Sequence, residues 1–173
     1  MPWIENIPLE NVAKGHHHAC GENSMLIQIS DHDMAFPTPK HQFKEVHQFT
    51  FLDIEEDGMT NTGGGMINLS EFAITDAQAA ELVRLLQHAQ ENRMNVVVHC
   101  HAGICRSGAV CEIGVMMGFN DCERFRSPNL LVKHKMMKCL GWTYDEQEKS
   151  YDVNGTVNEW GFIYPNKVHE GDI

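Results

Sequence analysis

The chain has 173 residues, a formal net charge of -11 from 24 acidic and 13 basic side chains, and 42% apolar residues. That length supports one domain with its own hydrophobic core, and the acidity excludes a broad electrostatic footprint for nucleic acid or an anionic membrane. No window reaches the ~20 apolar residues of a membrane span, the first fifteen residues lack the order of a secretory leader, and the six cysteines are scattered, so the expectation is a single cytoplasmic domain over 1–173 with no membrane association.

Ser24–Ser30 (SMLIQIS) reads as a strand, and Glu45–Leu52 as a second in which Val46, Phe49 and Phe51 lean apolar. The proline-bearing stretch between them, 31–44, reads as a loop. Upstream, His16, His17 and His18 with Cys20 read as a surface loop without a metal, because adjacent histidines seldom share one ion. From Asp53 to Thr75 runs a long connection with three consecutive glycines, the composition of a lid.

Thr75 and Gln78 form a capping-box pattern, and Ala79, Leu82, Val83 and Leu86 recur at helical spacing; Asp76 then suits the first turn of a helix. A buried strand, Met94–Val98, leads into His99-Cys100-His101-Ala102-Gly103-Ile104-Cys105-Arg106-Ser107-Gly108, after which an apolar helix begins at Ser107. Gly114 and Gly118 suit close approach of that helix to a neighbour. Ser127 as N-cap and Pro128 in the first turn predict a last helix bearing Val132, Met136, Cys139 and Leu140, stopped at Gly141. Its Lys133, His134, Lys135 and Lys138 read as a solvated basic face. An acidic extension, about 143–173, carries Asn154-Gly155 as a hairpin turn. Strand, helix and strand in alternation predict an α/β domain with a mostly parallel central sheet and helices on both faces, its site at the carboxyl end of a strand.

A thiol held where a strand turns into a helix sits in an anion cradle. Backbone N–H groups of His101, Ala102, Gly103, Ile104 and Cys105 curl inward, the helix N-terminus adds partial positive charge, and the Arg106 fork matches two phosphate oxygens. The same field favours thiolate over thiol at Cys100. A hydroxyl at Ser107 suits donation to the sulfur, and also suits an N-cap.

On His99, Cys100, Gly103, Arg106 and Ser107 together the chain resembles the cysteine-dependent protein tyrosine phosphatases, whose signature is His-Cys, five residues, Arg, then Ser or Thr. It looks most like the dual-specificity branch and its small bacterial and phage members, and Arg126 to Asn129 resembles the stretch before that branch's last helix. The resemblance implies the cysteine phosphatase fold, with Cys100 as nucleophile, Arg106 holding phosphate, Ser107 assisting the sulfur, His99 ordering the loop from behind and His101 on the pocket rim. It also implies a general acid, an aspartate on the loop after the strand upstream. Asp53, at the end of HQFTFL, is favoured over Asp57 on placement. Implied partners are a phosphorylated protein or peptide and phosphate or another oxyanion in the loop, without a cofactor. An RNA 5′-phosphatase of the same superfamily and a catalytically weak phospho-binding module stand as alternatives. The Cys100 and Cys105 spacing is similar to that of low-molecular-weight tyrosine phosphatases, which implies a redox pair; a small packing residue at Cys105 is the competing reading.

Overall fold

A computed structural model describes residues 1–55, 59–61 and 65–145. Five parallel strands form the central sheet: β1 (Trp3–Pro8), β2 (Ser24–Ser30), β3 (Glu45–Thr50), β6 (Asn95–Cys100) and the two-residue β7 (Asn120–Asp121), in the order β3-β2-β6-β1-β7. Strand β6 therefore lies between β2 and β1, with Gln28 and Ile7 both level with His99. β2 is buried along its whole length and β6 is buried after its first residue, as expected of central parallel strands. A small antiparallel hairpin, β4 (Met59–Asn61) and β5 (Met66–Asn68), stands apart from this sheet.

Helices cover both faces. The helices α2 (Asp76–Glu91), α3 (Arg106–Met117) and α4 (Leu130–Cys139) enclose the larger core on one face. On the other, the short α1 (Leu9–Lys14) and the loop after it cover Ile7, Leu26, Val97, Cys20 and Phe43. The capping box of α2 is present in both directions, with Thr75 Oγ1 accepting from the Gln78 N–H and Gln78 Oε1 accepting from the Thr75 N–H. Leu82, Val83, Leu85 and Leu86 then go inside, each worth about 1.5–3 kcal/mol of burial. Close packing also explains Gly114, where a Cβ would lie 2.7 Å from Cδ1 of Ile4.

Several local expectations are corrected. The stretch 1–15 contains β1, which its polar Glu5 and Asn6 conceal from a period-two reading even though both side chains are buried. Part of the 53–75 connection is structured as β4, β5 and a 3₁₀ turn at Leu69–Glu71. Strand β3 stops at Thr50 rather than Leu52, and Val46 is exposed because β3 is an edge strand. Helix α3 begins at Arg106 with Cys105 in the N-cap position, so Ser107 is not a cap. Helix α4 is capped by Asn129, whose Oδ1 accepts from the Val132 N–H, and not by Ser127; Pro128 precedes the helix. Lys133 on α4 is fully buried and does not belong to a solvated face, whereas Lys135 Nζ donates to the Ile74 carbonyl and meets Asp76. Asp57, the Asn154-Gly155 turn and residues 146–173 of the acidic extension lie outside the described residues.

Candidate active site

All the loops that meet around Cys100 leave the carboxyl ends of neighbouring parallel strands. Residues 101–105 follow β6, Leu9 follows β1, Asp31 follows β2, and Asp53 lies just beyond β3. The sheet order thus gathers segments that are far apart in sequence.

The 101–105 loop is held by its carbonyls. His101 O accepts from the Leu9 N–H at 3.0 Å, Gly103 O from Asn6 Nδ2 at 2.6 Å, Ile104 O from the Ser127 N–H at 3.1 Å and Cys105 O from the Asn129 N–H at 2.9 Å. In a trans peptide the carbonyl and the following N–H point in opposite directions. Anchoring these four carbonyls to the surrounding scaffold therefore turns the N–H groups of Ala102, Ile104, Cys105 and Arg106 toward the inside of the loop. The Gly103 N–H points at the sulfur, 3.3 Å from Cys100 Sγ. Gly103 has φ +76°, and a Cβ there would lie 2.3 Å from the backbone C of Ile7 and N of Pro8. Only glycine satisfies both the turn and the contact with β1.

Cys100 is buried, with the Ser107 hydroxyl 3.2 Å from its sulfur. Arg106 is also buried, and its Nη1 makes both of its tethers, to Asp31 Oδ1 at 2.6 Å and to the Phe51 carbonyl at 2.9 Å. Its Nε is buried without a partner among the described residues, so the Nε–Nη2 edge is the side available to two oxygens of an oxyanion. Sequence reasoning missed Asp31, which it left in the 31–44 loop. The usable signal was its position just past β2, the strand that pairs with β6.

His99 is fully buried, and its Nδ1 donates to the Cys100 carbonyl at 3.0 Å. Burial, reinforced by the Arg106 charge and opposed by that hydrogen bond, lowers its pKa, so the ring is neutral. His101 and Ala102 are exposed at the mouth. Asp53 is exposed too, and its Oδ1 accepts from Asn129 Nδ2 at 2.7 Å. The Cys105 thiol lies near enough to feel its charge. Burial first, then the neighbouring Asp53, Cys100 and Glu55 charges, push that thiol up to about 12. Asn129 also donates to the Ile54 carbonyl, and the Leu130 N–H donates to Glu55. The segment after β3 is in this way fastened to the same residues that fasten the loop.

Behind the loop, Arg126 is buried and forks onto Asp121 through Nη1 and Nη2 while its Nε donates to Glu112. This network fixes the approach to Ser127. No helix among the described residues is long and apolar enough to cross a membrane.

No curated protein matches the chain. Among solved structures it is similar to OH1 from the Orf virus, described as a tyrosine phosphatase with distinct structural features and triple substrate specificity, at 18% identity and a TM-score of 0.42 over 68% of this chain. That match spans 57% of the Orf virus chain. The model of the protein-tyrosine phosphatase family matches residues 23–147, which include the 99–107 motif, Asp31 and Asp53. The chain belongs to that family.

Proposed function

We propose that the protein hydrolyses phosphotyrosine in proteins or peptides through a phosphocysteine formed on Cys100. The observation that carries this reading is a buried thiol, 3.2 Å from the Ser107 hydroxyl and 3.3 Å from the Gly103 N–H, beside an Arg106 edge with an unpartnered Nε. The inward N–H groups and Arg106 bind the phosphoryl oxygens and stabilise the charge they carry in the transition state. Cys100 attacks phosphorus in line, so that the S–P bond forms as the ester P–O bond breaks. Asp53 donates a proton to the departing phenolic oxygen. Water then attacks the phosphocysteine, Asp53 accepts its proton, and Cys100 leaves as thiolate with the Ser107 hydroxyl donating to the sulfur. Asp31 is a positioning residue in this scheme, since it holds the arginine through Nη1 and keeps the opposite edge for phosphate. His99 fixes the strand end from below.

The test compares a phosphotyrosine peptide, a phosphoserine peptide and p-nitrophenyl phosphate on Cys100→Ser and Asp53→Asn proteins. Cys100→Ser is expected to bind an oxyanion without turnover, and acid-quenched parent enzyme to carry label on Cys100. Asp53→Asn is expected to slow the tyrosine substrate by about 10²–10³ and the activated aryl phosphate much less. Turnover by Cys100→Ser would end the covalent reading, and equal losses on both aryl substrates would remove Asp53 as the acid.

A further inference from the structure

On the sheet face opposite α2 and α3, three side chains that take no part in phosphate chemistry converge from separate segments. They are Glu5 from β1, His18 from the loop after α1, and Cys122 just past β7; their ligand atoms all lie within 4.8 Å of one another. Glu5 is only 4% exposed although it sits in the middle of a strand. Its Oε1 accepts from the His18 backbone N–H at 2.9 Å and lies 3.2 Å from His18 Nδ1. Among the described residues, the fixed positive charge paired with it is Arg124, whose Nη1 is 3.6 Å from Oε2 and whose side chain is well exposed. A buried carboxylate in this state is poorly neutralised. Asp121, the other acid close by, is already held in a two-point contact by Arg126.

We propose that Glu5, His18 and Cys122 form a binding site for a divalent cation of zinc's class. One carboxylate oxygen, one imidazole nitrogen and one sulfur are the donor set that a borderline-soft ion prefers, and a water completes four-coordination. Tetrahedral coordination at ~2.0–2.3 Å requires ligand atoms ~3.5 Å apart. The present spread is within about 1.3 Å of that, and the exposed His18 and half-buried Cys122 are free to close it. On binding, the Cys122 thiol releases its proton to solvent, the sulfur–metal bond forms, and Arg124 swings outward. The ion ties β1, the 15–23 loop and the 121–126 segment together. It does so one residue away from Asn6, whose Nδ2 holds both Gly103 O and Phe125 O. Of the histidine run only His18 enters the site, while Cys20 Sγ lies 3.9 Å from His17 Nδ1 and belongs to the core under α1.

Titration with cobalt(II) in the Cys100→Ser background tests this with the reactive thiol removed. One equivalent is expected to bind, with a thiolate-to-cobalt charge-transfer band and the intense visible bands of four-coordination. Adding Cys122→Ser is expected to abolish the charge-transfer band and weaken binding at least tenfold; adding His18→Ala, on an exposed loop, is expected to weaken binding without removing the band. Cys20→Ser is expected to leave both unchanged. Circular dichroism checks that each variant is folded, and zinc is expected to raise the unfolding midpoint of the parent but not of Cys122→Ser. Absence of the band, or its persistence in Cys122→Ser, overturns the proposal.

Discussion

Replacing Gly103 by alanine tests how the cradle is built. Two costs arise, and the structure separates them. The first is conformational: at φ +76° an L-residue loses ~1–2 kcal/mol relative to glycine. The second is steric, because the new Cβ would sit 2.3 Å from backbone atoms of Ile7 and Pro8, where ordinary contact begins at 3.4 Å. Backbone cannot rotate away as a side chain does, so the loop must retreat by about 1 Å. A retreat of that size breaks the 2.6 Å bond from Asn6 to Gly103 O and moves the Gly103 N–H off the sulfur. Misplacement by ~1 Å costs on the order of 10²-fold in rate. Gly21→Ala supplies the control, since Gly21 has φ +71° and nothing within 4 Å of its Cβ position. The assays are kcat/KM for a phosphotyrosine peptide, tungstate affinity, and urea unfolding. Gly103→Ala is expected to lose at least 10² in kcat/KM and most oxyanion affinity, while Gly21→Ala loses ~1 kcal/mol of stability and no activity. If Gly103→Ala keeps kcat/KM within threefold of the parent, the account of the cradle as a loop anchored to β1 is wrong.

Asp31→Ala should raise KM and lower tungstate affinity by roughly 5–30-fold, the worth of a partly exposed charge-assisted hydrogen bond, with Asp31→Asn milder because its amide oxygen still accepts; unchanged affinity in Asp31→Ala would show that the Phe51 carbonyl alone orients Arg106. Peroxide should inactivate the enzyme with poor recovery by dithiothreitol, because a Cys105 thiol at about 12 is ionised to roughly 10⁻⁵ at pH 7 and is a slow partner for oxidised Cys100. Peptide mapping that finds an abundant Cys100–Cys105 disulfide would restore the redox pair that the spacing implies. His99, with its pKa held below 6.5 by burial, makes stability greatest above pH 6.5; as pH falls below that value the unfolded chain takes up a proton that the native ring refuses, at a cost of up to about 1.4 kcal/mol per pH unit. An NMR titration placing the native His99 at or above 6.5 would contradict this.

The proposed nucleophile, the phosphate-binding arginine and the assisting hydroxyl were legible in the sequence because they are contiguous. Strand β6, the 101–105 loop and the start of α3 are one stretch of chain, so the thiol, Arg106 and the Ser107 hydroxyl are set by local geometry and a short motif. The capping box of α2 is local in the same sense, as is the close-packing glycine at position 114. What the sequence could not show is what holds that stretch in place. Asn6 lies in β1, and Leu9 directly follows it; the polar residues of that strand are buried, so the alternation that reveals an amphipathic strand is missing. Asp31 reaches Arg106 across 75 residues, and Asn129 reaches Asp53 across 76, only because parallel pairing puts the ends of β1, β2, β3 and β6 along one edge. Lys133, which looks like a solvated lysine from its neighbours, is buried in a helix that packs against α2 and α3. Local sequence determines which groups are on the loop; the direction in which each of its peptide groups points is decided by partners that only the tertiary fold delivers, because a carbonyl turns outward only where a donor waits for it.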